Sequence, residues 1–474
     1  MVSLVTMEKG KNKITIFESM AIPKALAIMA IPTVLSQVII LAYNLADTWF
    51  IGRANNEYMV GAVSLVLALY LMLVAIANLF GVGGGNLMIR LTGQGDHEEA
   101  KKVCAHSLIV GLIVSVVFSL LCLALMNPLL MLFGANENTI EYARQYMLFV
   151  VVIGGVPTVL SMMMPMLLRN VGYSKEAGLG VAIGGILNIG LDPLFMFVIM
   201  GDGYQVMGAG IATMISNVLT TIYFIIIFWK LRNKTVLTIP KKLEKLTKSS
   251  LKSFYSVGIP AAIIMILFNV LGVVLNKLTS SYSDIALAAG GIVLKVERLP
   301  QNIALGVCLG MVAPVAYNYA KKNLKRMDGF FVAALISVLS LSLIFGILFY
   351  FLAEPIIRIF IANEDVVSLG ARFLKARSFS IPFMALGFLI LNFTQAVNKG
   401  KISFLLSIIR HLILSIPAML ILNAIFGMEG LIWSQTVADV INGVVSITIF
   451  LLTRKRIGLQ VEQKNNEQEN PPVI

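Results

Sequence analysis

Charge is what this sequence has least of. Only 13% of its 474 residues are Asp, Glu, Lys or Arg, against about 25% in a soluble globular protein. With 58% hydrophobic residues and a mean hydropathy of +0.88, a water-soluble fold is excluded and a polytopic membrane protein is implied. Acids are scarcer than bases, 24 against 37, which leaves a formal charge of +13. Nucleic acid is not the partner this implies, because the bases lie in short tracts between apolar runs, where membrane topology explains them. Cys104, Cys122 and Cys308 stand singly with no CxxC spacing, which excludes a disulfide framework or zinc site and leaves buried thiols. His106 and His411 are isolated in apolar surroundings, so the converging acid, base and nucleophile of a membrane enzyme are absent. No Gly-Lys-Ser/Thr follows Gly81-Val-Gly83-Gly84-Gly85-Asn86, so that run is a close-packing stretch and not a phosphate loop. Without an ATP site, work has to come from an ion gradient or a partner.

What is present is a series of long apolar runs. A span needs about 20 residues, and twelve can be placed: 24–50, 58–80, 102–126, 143–168, 175–200, 206–229, 253–277, 285–313, 330–352, 367–397, 402–424 and 430–452. The bases concentrate in alternate connections, Arg90 to Lys102, Arg169 to Lys175, Lys230 to Lys248, Lys321 to Arg326, Lys399 to Lys401 and Arg454 to Arg456. This places both termini in the cytoplasm. Trp49 and Trp229 then fall at the outer and inner boundaries. The organisation expected is a cytoplasmic N-terminus (1–23), a six-helix lobe (24–229), a basic cytoplasmic linker (230–252), a second lobe (253–452) and a cytoplasmic tail (453–474), disordered beyond Arg456. The first apolar run is too long for a signal-peptide core.

The halves repeat. Ala30-Ile-Pro32 returns as Gly258-Ile-Pro260, Phe133-Gly-Ala-Asn-Glu137 as Phe360-Ile-Ala-Asn-Glu364, and Gly208-Ala-Gly210 as Met428-Glu-Gly430. The fold class is therefore an all-α membrane protein of twelve transmembrane helices, in two parallel-oriented six-helix repeats around a central cavity. That is the architecture of a secondary transporter.

The polar exceptions inside the spans are the candidate functional residues. Thr33, Gln37, Asn44 and Asp47 form a narrow polar stripe on the first span. An ionised Asp near a bilayer centre costs about 2.5–3.5 kcal/mol on insertion scales, so a function is the default reading. On the fifth span Asn188 and Asp192 share a helix face, and Pro193 leaves the Ile189 carbonyl without its helical donor. The two acids can meet in one lobe. Lys295, Glu297 and Arg298 lie deep in the eighth span before Pro300. Mutual and interlobe ion pairing is the structural reading, and a second polar site is the functional one. His97-Glu98-Glu99-Ala100-Lys101 has lysine where a zinc protease needs its second histidine, and reads as a solvated loop. Met162, Met163, Met164 and Met166 around Pro165 read as helix packing, and the Gly180–Gly184 step does too.

Several of these segments resemble the MATE family, the multidrug and toxic compound extrusion transporters. They are Tyr43-Asn44-x-x-Asp47-x-x-Phe50-Ile-Gly52, Asn78-Leu-Phe-Gly-Val-Gly-Gly, Arg90-Leu-x-Gly93, Leu187-Asn188-Ile-x-Leu-Asp192-Pro193 and Gly208-Ala-Gly-Ile-Ala-Thr213-x-Ile-Ser-Asn217. Ala316-Tyr-Asn318-Tyr and Gly427-x-x-Gly430-Leu-Ile-Trp433-Ser resemble the family's second half. The resemblance implies an exporter of amphipathic organic cations in a bacterial or archaeal cell membrane, driven by inward movement of H+ or Na+. It maps the family's coupling residues onto Asp47, Asn188 and Asp192, where a sodium ion is the one metal implied, with no other cofactor. Gln37, Tyr43, Asn44, Lys295, Glu297 and Arg298 are the substrate and cavity candidates, and the protein is expected to be a monomer in the lipid bilayer. Some family members carry further acids on spans seven and ten, where Phe268 and Phe388 stand here, so coupling through the first lobe is favoured. A lipid-linked saccharide or lipid flippase of related architecture is the alternative, and it would want a wide basic cavity.

Overall fold

The computed structural model describes residues 14–53, 56–239 and 244–469, apart from the side chains of a few of them. The expected positions 241 and 242 of the basic linker lie outside the described residues. We number the spans α1 (Ile22–Arg53), α2 (Glu57–Gln94), α3 (His97–Ala124), α4 (Ile140–Ile153 with Gly155–Asn170), α5 (Ser174–Ile199) and α6 (Gln205–Leu231). The second series is α7 (Lys248–Ser280), α8 (Asp284–Ala320), α9 (Leu324–Phe351), α10 (Glu364–Ser378 with Ile381–Ala396), and then a continuous helical stretch from Gly400 to Glu469. Among the described residues, nine helices are long and apolar enough to cross a membrane, and two pairs bent by 50° and 49° bring the number to eleven. The last of them, Gly400–Leu459, has 60 residues. A straight helix of that length would run about 90 Å, three times a bilayer's hydrocarbon thickness. Gly427 breaks it, with φ 58 and ψ −139, a conformation open only to glycine. The stretch is therefore two spans, α11 (400–426) and α12 (428–469), and the expected twelve are present.

The helices begin and end where side chains can close them. Asn56 caps α2 by accepting from the Tyr58 and Met59 amides, and Asn363 caps α10 by accepting from Asp365 and Val366. The internal repeat reaches the level of single backbone angles. The α2–α3 turn passes through Gly95 at φ 87 into the cap Asp96, and the α8–α9 turn passes through Lys322 at φ 58 into the cap Asn323. A non-glycine residue in that left-handed region costs about 1–2 kcal/mol, so the repeated turn geometry outweighs the residue's own preference.

Three expectations change. The second helix runs past the expected end at residue 80: α2 continues through Gly81–Asn86 to Gln94, where the glycines admit close neighbours. A Cβ on Gly83 would stand 2.8 Å from the Phe254 carbonyl of α7. His97–Lys101 is not a loop but the first turn of α3. Asp96 Oδ1 accepts from the Glu99 amide at 3.0 Å, Lys101 pairs with Glu98 at 2.8 Å, and the buried Glu99 accepts from the Thr247 amide at 2.9 Å. The tail is helical as far as Glu469, because Glu, Gln and Lys extend a helix already nucleated at little cost.

The chain divides into two compact units between Ile266 and Leu267, inside α7 and not at the linker. The first half of α7 belongs with the first unit for visible reasons. Arg90 Nη2 donates to Ser253 Oγ at 2.7 Å, His106 Nε2 lies 3.2 Å from the Tyr255 hydroxyl, and Gly258 packs on the α2 backbone. The three cysteines are buried and unbonded to one another, and Met163 and Met164 are packed in the core of the first unit.

Candidate functional site

Glycines bring α1 onto α5. Gly178 faces the Pro32 carbonyl, 2.7 Å from where a Cβ would sit, and Gly185 faces Ile39 and Tyr43. On the other side of α5, Gly180 receives Tyr223 and Phe224 of α6, and Gly184 receives Thr220. Small residues are what permit such approach in a membrane, where no hydrophobic force draws helices together. The polar residues of α1, α5 and α6 are thereby placed side by side.

Asp192 is completely buried. Its Oδ1 accepts from Asn188 Nδ2 at 3.3 Å, and the same amide lies 3.3 Å from Thr213 Oγ1 of α6. Asp192 Oδ2 and Asp47 Oδ1 are both buried with no hydrogen-bond donor among the described residues. The two carboxylates are within electrostatic reach of each other, and Tyr43, Tyr70 and Tyr146 stand around them. Pro193 closes the α-helical part of α5, and Leu194–Ile199 continue as a π-helical turn, a distortion common at functional sites. Asn44 does not join this group: it is exposed and donates back to the Ile40 carbonyl at 2.8 Å. Gln37 is buried nearly three turns earlier on α1. Thr213, Tyr70 and Tyr146 are the members that residue-by-residue reading did not single out, and only Thr213 had a signal, as the hydroxyl in Gly208-Ala-Gly-Ile-Ala-Thr213.

The second unit holds a different polar centre, around a cavity of about 110 Å³. Glu297 of α8 pairs with Arg377 of α10 at 3.1 Å, and Arg410 of α11 pairs with Asp439 of α12 at 3.1 Å. All four side chains are nine-tenths buried or more. Glu297 thus finds its counter-ion two helices away in the same unit and not in Lys295 or Arg298, which are exposed. Arg298 lines the cavity and Lys295 does not. Arg410 also lies 4.8 Å above the Phe388 ring; the Phe268 side chain lies outside the described residues. Arg410 and Asp439 were legible by the criterion that exposed Asp47, a lone charge inside an apolar span, whereas Arg377 follows Arg372 and Lys375 and was not.

No group of three or more His, Cys, Asp or Glu able to hold a metal occurs among the described residues. The oxygens of Asp47, Asp192, Asn188 and Thr213 are hard donors of the type an alkali cation takes.

Two six-helix repeats with charged side chains buried inside apolar spans define a multi-pass membrane transport protein. The MatE family model matches residues 32–194 and 260–421, once in each half. The chain belongs to the MATE family. It is 29% identical over 447 residues to the multidrug export protein MepA of Staphylococcus aureus (strain MSSA476), covering 94% of this chain and 97% of that one. It is 28% identical over 441 residues to MepA of Staphylococcus saprophyticus, covering 93% and 96%. Among solved structures, an outward-facing multidrug resistance MATE family transporter of the MOP superfamily superposes with a TM-score of 0.87 at 22% identity, over 94% of this chain and 98% of that one. A MOP superfamily transporter from Pyrococcus furiosus gives 0.85 at 22% identity, over 94% and 98%.

Proposed function

We propose that this protein is a secondary active multidrug efflux transporter, exporting amphipathic organic cations in exchange for H+ or Na+ by alternating access, with Asp47 as the main coupling carboxylate and Asn188 and Asp192 as its partners. The observation that carries this is the pair of buried carboxylate oxygens, Asp47 Oδ1 and Asp192 Oδ2, left without donors in the apolar interior. An orphaned buried acceptor costs about 1–3 kcal/mol, and more when charged, unless a proton or cation occupies it for part of the cycle. Proton and organic cation then compete for the same negative charge. Antiport requires that exclusion, together with a preference of each ligand for a different conformation. The relatives named for multidrug export support the substrate class. Sodium, as the alternative coupling cargo, would draw on the Thr213 hydroxyl and the Asn188 side-chain oxygen as well.

Exchange of one proton for one monovalent cation moves no net charge, so the pH difference alone would drive it, at about 1.4 kcal/mol per unit. Two protons, one on each aspartate, would add the membrane potential, about 2.3 kcal/mol per charge per 100 mV. Export of ethidium from proteoliposomes under a pH gradient alone, then a sodium gradient alone, separates the coupling ions, and a potassium diffusion potential reads the stoichiometry. We take both termini and the 230–252 linker to be cytoplasmic on the lysine distribution and the protein to act as a monomer in the cell membrane. A cysteine at position 242 should resist impermeant reagents applied to intact cells.

A further inference from the structure

The cavity of the second unit presents charge that its own ion pairs do not consume. Three guanidiniums, Arg298, Arg377 and Arg410, line it against two carboxylates, Glu297 and Asp439. In each pair an arginine Nε lies 3.1 Å from one carboxylate oxygen. Arg377 Nε touches Glu297 without aiming its N–H at it, so that donor is unsatisfied. Among the described residues Arg298 has no ion pair, and the terminal nitrogens of Arg377 and Arg410 are not among the buried polar atoms left without a partner, so they open onto the cavity. A guanidinium carries five donors in a rigid fork suited to carboxylates. Of these donors only Arg377 Nε is buried without a partner, and the others are within reach of an acceptor that enters the cavity. Gln435 lines the same cavity, 5% exposed, with Nε2 donating to Ser415 Oγ at 3.2 Å and Oε1 buried without a donor. The remaining wall is greasy: Leu275, Leu294, Met384 and Met419.

We propose that this cavity binds the acid group of an amphipathic organic carboxylate, a second cargo class for a transporter whose first unit attracts cations. The carboxylate meets the free guanidinium nitrogens, with the exposed Arg298 at the entrance. A hydroxyl or amide N–H of the same molecule donates to Gln435 Oε1, and its apolar body lies against the leucines and methionines. Glu297 and Asp439 hold Arg377 and Arg410 in place and keep the net charge of the cavity near +1, enough for one monoanion. The side chains adapt to different bodies because thioethers repack readily.

The inference rests on the export reading only for the occupant's fate, so the test is equilibrium binding to the purified full-length protein in detergent, without any gradient. The probes are 2-naphthoate and its neutral counterpart 2-naphthamide in low-chloride buffer. Naphthoate should bind at least tenfold more tightly than naphthamide. Arg298→Gln, at an exposed position, should weaken naphthoate about tenfold and leave naphthamide unchanged. Met384→Trp, which fills the wall, should weaken both; if that variant does not fold, the Arg298→Gln comparison decides alone. Equal affinity for the two probes, or a naphthoate preference undiminished by Arg298→Gln, would overturn the proposal. So would chloride binding as tightly as naphthoate at the same site, which would make this an inorganic anion site. Ethidium export coupled through Asp47 can fail while naphthoate binds, and the reverse, so the two readings are separable.

Discussion

The two units solve the problem of charge in a membrane in opposite ways. In the first, Asp192 is buried and Asp47 half-buried, and among the described residues neither has a basic partner; an amide, a hydroxyl and tyrosines stand near them. In the second, each buried acid has an arginine at 3.1 Å. The repeat does not conserve the acids. Counting from the shared proline, Pro32 in one half and Pro260 in the other, the place of Asp47 is taken by Leu275, which lines the second cavity. A carboxylate without a counter-ion is open to a proton or a cation, whereas removing one partner of a buried pair leaves an uncompensated charge. One scaffold thus holds a centre whose acids lack a counter-ion and a centre in which each acid has one.

The sharpest way to break this contrast is Asp47→Asn, which should abolish gradient-driven ethidium export, a loss of at least about a hundredfold, while the protein still inserts and folds. Asp192→Asn should weaken export less. Undiminished proton-driven export by folded Asp47→Asn protein would sink the assignment. In the second unit the effect should fall on stability instead. Arg410→Leu strands Asp439 and should cost about 3–5 kcal/mol, whereas Arg410→Leu with Asp439→Leu should recover most of it. Thermal unfolding in detergent compares the three proteins, and equal melting temperatures for single and double variants would show that the pair is not coupled. Gly185→Ala, which adds a Cβ 2.7 Å from the Ile39 side chain, should lower melting by an amount typical of overpacking, about 1–3 kcal/mol, and reduce export by displacing Tyr43. The smallest effect belongs to the exposed bidentate pair of Arg358 with Glu364. Arg358→Gln should leave export and melting unchanged, because water and salt screen such pairs.

Much of this was legible from residue order. Low charge and twelve apolar runs dictate an all-α membrane protein, because only helices satisfy their own backbone in lipid. The paired motifs at Pro32 and Pro260 dictate the repeat, and Asp47, Asn188 and Asp192 announce themselves by the cost of placing them there. Sequence spacing also put Asn188 and Asp192 on one face, a local property of the α-helix.

What spacing could not determine is which residues from distant helices share a contact. That Glu297 pairs with Arg377, eighty positions on, and not with its neighbours Lys295 and Arg298, depends on how α8 and α10 are rotated about their axes. The same holds for Arg410 with Asp439, and for Thr213 and the tyrosines around the first pair of acids. Helix rotation is set by packing, here by glycines 178 and 185 on one side of α5 and 180 and 184 on the other. Composition and periodicity fix a helix's length and its apolar character within the chain, because those follow from local backbone physics. The choice of neighbour follows from close-packed side-chain shape, which only the tertiary structure expresses.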